Sequence, residues 1–171
     1  YSWQSLGTGF PEWSVRGIAE LDEDGPGPAL PTLFAGGELP ASTYRWTGQS
    51  WTPMQGGPDG LVNMLYTIDP DGPGSAPAVL LAGGSFETIG GSQGGGLAAW
   101  DGAEWRAFGG GITSAYGDFT VGEAVRLDPD GAGPALPAIY FGGVFTAAGD
   151  VSSGNIARWG CGSGCYANCT G

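Results

Sequence analysis

Three turns carry paired carboxylates at a spacing able to hold a cation: Asp22 with Asp24, Asp69 with Asp71, and Asp128 with Asp130, each in an Asp-x-Asp-Gly run. Two acids two residues apart on a Gly-bent loop can share one hard ion such as calcium with backbone carbonyls. The same run also makes a good type I turn, because Asp-Pro-Asp-Gly places Pro second and Gly fourth. No third carboxylate follows at a steady offset, so calcium loop and plain turn both stand, and calcium is the one cofactor suggested. Hydrolysis by an acid pair needs only two carboxyls about 5–9 Å apart. Glu20, Glu38, Glu87, Asp101, Glu104, Asp118 and Glu123 lie outside the turns, but none recurs in a way that marks a site. The chain therefore reads as non-catalytic, with an acid-pair glycosidase as a trailing alternative. Near the C-terminus, Cys161, Cys165 and Cys169 fall close together with no His beside them. One disulfide in an oxidising exterior fits them better than zinc, which would want a fourth ligand, and the pairing is open. Asn168-Cys169-Thr170 matches the N-glycosylation acceptor rule.

The remaining charges exclude several function classes. All five basic residues are Arg (Arg16, Arg45, Arg106, Arg126, Arg158), there is no His, and the net charge is −12. Such a chain repels phosphate backbones and anionic lipid, both of which need clustered cations, so nucleic acid is not an expected partner. Without His or Lys there is no imidazole base or metal ligand, no Schiff base and no phosphate-loop Lys. No apolar run is long enough to span a membrane as a helix. Neither a leader nor an initiating Met is visible, and the sequence reads as a mature product or a fragment from outside the cell or from its surface.

Glycine supplies 36 of the 171 residues, yet 41% are hydrophobic and seven are Trp. The chain must turn often around a packed apolar interior. Its punctuation is triplicate. Asp22-Glu-Asp-Gly-Pro-Gly-Pro-Ala-Leu-Pro-Thr-Leu-Phe-Ala-Gly-Gly37 aligns with residues 69–84 and 128–143, each ending in Gly-Gly. A Trp precedes each segment (Trp3, Trp51, Trp105) and another follows it (Trp46, Trp100, Trp159); only Trp13 breaks the pattern.

Four short strands are expected per copy. The first starts at the leading Trp, the second covers residues 15–21, 62–68 or 121–127, the third runs into Gly-Gly, and the fourth ends at the closing Trp. The second strand alternates with a period of two, but Ile18, Leu65 and Ala124 make its other side apolar as well. A strand apolar on both sides lies between two layers. The Gly pairs provide close backbone approach or positive φ. No dozen-residue window keeps a helical period free of Gly and Pro. Copies two and three carry fourteen residues between the Gly-Gly pair and the residue before the closing Trp, whereas copy one carries seven. The expectation is an all-β fold of three four-stranded antiparallel blade-like repeats, at residues 1–50, 51–104 and 105–160. A Cys-rich tail follows at 161–171. The repeated Trp residues belong to the blade core more than to a ligand platform.

Trp3-Gln-Ser-Leu-Gly-Thr-Gly, the Asp-x-Asp-Gly-x-Gly turns, Leu33-Phe-Ala-Gly-Gly, Ile156-Ala-Arg-Trp and Trp100-Asp-Gly together resemble secreted bacterial kelch-like repeat proteins. The resemblance covers nearly the whole chain and implies β-propeller architecture and export, with little about activity. Cys165-Tyr-Ala-Asn-Cys169 looks like the junction that follows such arrays. Closed propellers use about four to eight blades, so three would leave a partial ring, or one completed by assembly. Strand addition or stacking would then build a homo-oligomer or polymer, giving a structural or binding module that self-associates into a surface assembly or fibre. The alternative is a fragment of a larger secreted propeller that binds a glycan or protein.

Overall fold

The computed structural model describes residues 1–25, 27–69, 77–128, 131 and 137–160. Its elements, numbered in chain order, are all strands. The first sheet holds β1 (Ser14–Leu21), β2 (Thr32–Glu38), β3 (Thr43–Trp46) and β4 (Trp51–Pro53), paired in that order and antiparallel throughout. Then come β5 (Leu61–Ile68) and β6 (Val79–Ser85), a small hairpin of β7 (Thr88–Ile89) and β8 (Ser92–Gln93), and β9 (Leu97–Trp100) with β10 (Trp105–Ala107). The second sheet has the order β5-β6-β9-β10. The third region comprises β11 (Ile112–Thr113), β12 (Thr120–Leu127), β13 (Ala138–Val144), β14 (Ala147–Ala148), β15 (Val151–Ser152) and β16 (Ile156–Trp159). Its main sheet, β12-β13-β16, has three strands, and β11-β14-β15 form a small one beside it.

The three copies share one irregularity at equivalent residues. Each innermost strand carries a bulge at the same place, at Val15/Gly17, Val62/Met64 and Val121/Glu123, opposite the second Gly of the pair. A Cβ on Gly37, Gly84 or Gly143 would sit 2.0, 1.9 or 2.0 Å from the carbonyl oxygen of Ser14, Leu61 or Thr120. Close approach, and not positive φ, is thus what these glycines supply.

One expectation needs correcting. The strand starting at a leading Trp does not open its own unit: it closes the sheet before it, Trp51 pairing with Trp46 and Trp105 with Trp100. The connecting turns explain this, because four residues between the two Trp leave room only for a hairpin. Thr47 N donates to Ser50 O (2.9 Å), Thr47 Oγ1 accepts from Ser50 N (3.1 Å), and Gly48 takes φ 92°. Asp101 Oδ1 accepts from Ala103 N and Glu104 N, both at 3.0 Å, with Gly102 at φ 97°. The first of the three, Trp3-Gln-Ser-Leu, pairs with nothing among the described residues, and Trp3 is fully exposed. The longer loops of copies two and three fold into the hairpins β7-β8 and β14-β15, which copy one lacks, and they cover Phe86 and Phe145.

The sheets stack face to face, with β1, β5 and β12 innermost. Along β6, Leu80 and Ala82 point into one core with Phe34, Val62, Leu65 and Trp105, while Leu81 points into another with Val121, Ile139 and Phe141. The middle sheet is therefore dry on both faces, as the two-sided apolar pattern of residues 62–68 requires.

Candidate functional site

The first Asp turn closes on itself. Asp24 Oδ2 accepts from Ala29 N (3.1 Å), Gly27 N donates to Asp24 O (3.2 Å), and a Cβ on Gly27 would collide with the Asp24 carboxyl. Asp22 lies beside Asp24, and the hydrogen bond between their carboxyls, helped by partial burial, raises the Asp22 pKa above its usual range. Asp69 and Asp128 stand where β5 and β12 end, one exposed and one half-buried. Asp71, Asp130, Cys161, Cys165, Cys169 and Asn168 lie outside the described residues. Among the described residues no three His, Cys, Asp or Glu side chains cluster to hold a metal ion.

Three of the other candidate acids take structural partners. Asp101 and Glu104 both engage Arg106, and Glu38 faces Arg16 at 3.9 Å. Backbone N–H groups of Glu104 and Ala103 hold Asp101 below the normal carboxylate range, with Arg106 adding to them against some burial. A groove of about 710 Å³ beside Trp46 is lined by Leu30, Arg45, Thr47 and Thr52 among others, and a cavity of about 310 Å³ lies by Phe108, Phe141, Asp150 and Trp159. Neither lining contains two carboxylates.

Two polar contacts not anticipated from sequence tie the sheets together, and a third anchors a hairpin. Glu23 accepts from Trp100 Nε1 of the second sheet (3.1 Å) and pairs with Arg45 of its own (2.5 Å). Asn63, at the bulge of β5, accepts from Arg16 (3.3 Å) and donates to Thr120 Oγ1 (2.7 Å), linking all three innermost strands. Asp59 receives the backbone N–H groups of Glu87 and Thr88, both at 3.1 Å, and the Thr88 hydroxyl at 2.8 Å, anchoring the β7-β8 hairpin. A signal for Glu23 was present: it stands where the other two turns have Pro.

What distinguishes the molecule chemically is its two ends. At one set of equivalent positions Val62 and Val121 are fully buried, but Val15 is 42% exposed. At the next set, Leu65 and Ala124 are buried, but Ile18 is 65% exposed. On the opposite faces the inequality reverses: Leu21 and Ile68 are buried, while Leu127 is 50% exposed. Val125, Val144 and Ile156 are exposed on that same face of the third sheet. The face that the second and third sheets bury is open on the first, and the face that the first and second bury is open on the third.

No family model, curated protein or solved structure matches the chain. No helix among the described residues is long and apolar enough to cross a membrane.

Proposed function

We propose that this chain is a non-catalytic, extracellular repeat module of the kelch-like propeller type, whose role is structural and which self-associates through its two open sheet faces. One observation carries the reading: the apolar face left open on the third sheet is of the kind that the first two sheets press onto their neighbours, and the first sheet leaves the receiving face open. Contiguous exposed apolar surface on a stable protein marks an interaction site. A non-catalytic reading is supported by Glu23, Asp24, Asp59 and Asp101, whose carboxylates are taken up by an Arg pair, turns and a hairpin anchor. Sedimentation velocity of the 171-residue chain over a hundredfold concentration range tests the proposal. Growth of the sedimentation coefficient with concentration is expected, and a discrete monomer at every concentration overturns it.

A further inference from the structure

The three copies also differ where the chain enters its innermost strand. Phe10, Pro58 and Ile112 each stand seven residues after a leading Trp. Pro58 bridges to Ile89 and Ile112 pairs with Ala148, at the same place in the hairpin that follows each sheet's third strand region. From these equivalent positions, three residues lead to Ser14, two to Leu61 and seven to Thr120. The second copy shows that two residues are enough to make the connection. The longer loop of the third copy, residues 113–119, is therefore surplus to the sheet.

That loop is nonetheless fixed. Its turn closes through Gly117 N, which donates to Ser114 O (3.2 Å), with Gly117 at φ 93°. Tyr116 N donates to Ser114 Oγ (3.2 Å), and Ala115 N donates to Thr146 Oγ1 (2.8 Å). Thr146 N in turn donates to Thr113 O (2.9 Å). The second copy uses the same contact in the reverse sense, its loop residue Asp59 holding Glu87 and Thr88 of the hairpin. In the third copy the hairpin holds the loop. A connection that only joins two strands needs no such anchor, because lengthening a free surface loop is inexpensive.

The loop presents Tyr116, 88% exposed, and Asp118, also exposed. Among the described residues Tyr116 makes no ring contact and Asp118 no ion pair. A Tyr on an ordered loop offers a large contact area with only two side-chain torsions to fix, and such residues anchor protein contacts. The ring face attracts a cation, and a carboxylate two residues along adds to that attraction. The surroundings select the same sign: no basic residue stands between Arg106 and Arg126, Glu123 adds a further negative charge there, and the whole chain carries −12.

We infer that residues 113–119 are a recognition loop for a different protein that presents an exposed Arg, whose guanidinium stacks on the Tyr116 ring and pairs with Asp118. Arg suits the loop because its planar group both stacks on an aromatic face and meets a carboxylate along its edge. Thr146 is a positioning residue, acting through Ala115 N and Thr113 O. The contact is separate from the self-association proposed above, which uses the open sheet faces.

The tripeptide acetyl-Gly-Arg-Gly-amide is the probe, titrated into the isotope-labelled full chain at about 0.15 M salt while amide chemical shifts are followed. The largest shifts should fall on residues 113–119, and the same tripeptide with Gln for Arg should give none. Tyr116→Ala should weaken binding at least about threefold, and Tyr116→Phe should stay within about twofold of the unmodified chain. Asp118→Asn should weaken it at least about twofold, whereas Glu20→Gln, which removes an equal charge from the first sheet, should change it little. Thr146→Val should weaken binding and Thr146→Ser should restore it. Melting of each variant checks the fold, and sedimentation of Tyr116→Ala should match that of the unmodified chain. Shifts spread over the acidic surface, equal losses from Glu20→Gln and Asp118→Asn, or undiminished binding by Tyr116→Ala overturns the recognition loop. Weaker self-association of Tyr116→Ala would assign the tip to the contact between copies and overturn it equally.

Discussion

Asp59 shows how much one carboxylate can organise on an exposed loop. Burial alone would push its pKa up, yet the N–H and hydroxyl of Thr88 and the N–H of Glu87 outweigh this and hold it below the ordinary value. A carboxyl with a depressed folded pKa contributes stability above its unfolded pKa and loses it as pH falls through the folded one. Asp101 acts in the same sense, and Asp22, raised by Asp24, in the opposite one. Asp59→Asn should therefore flatten the acid limb of the melting temperature measured from pH 6 to pH 2, with the gap from the unmodified chain closing below about pH 4. At neutral pH the loss should be no more than about 1 kcal/mol, because the site is exposed and screened. An unchanged acid limb would mean that the Asp59 contacts contribute nothing to folding.

Among the elements, the strands were the most legible feature. Period-two runs marked β1, β5 and β12 within one residue, and the Gly-Gly and Trp punctuation marked β2, β6 and β13 and then β3, β9 and β16. The pairing of the Trp51 and Trp105 strands was not legible, because a repeat read along the chain has no natural first strand and hydrogen bonding alone fixes the frame. The hairpins β7-β8 and β14-β15 escaped notice since two-residue strands show no periodicity. Cross-sheet partners such as Asn63 with Thr120 depend on which sheets face each other, which local pattern does not encode. The glycines allow a sharp check at this scale. Gly84→Ala pushes a Cβ onto the Leu61 carbonyl and should cost about 1–3 kcal/mol, whereas Gly142→Ala meets only open space and should fall within about 0.5 kcal/mol of the unmodified chain. Chemical denaturation of dilute samples measures both, and equal losses would contradict the bulge geometry.

Taken whole, the molecule is a stack of three similar sheets whose exposed faces differ with position. At a net charge of −12 per copy, the self-association proposed above must proceed against mutual repulsion, and added salt should favour it.

The doubly covered middle sheet has a dynamic counterpart. In arrays where each unit touches only its neighbours, opening is easiest at the ends and hardest at the centre. Amide protons of residues 80–82, paired on both sides and shielded above and below, should be the last to exchange with deuterium in dilute solution. Those along β16, with one neighbour strand among the described residues and a wet face, should be among the first strand amides to go. Uniform protection across the three sheets would show that they open as one unit, and the stack would then behave as a single cooperative body.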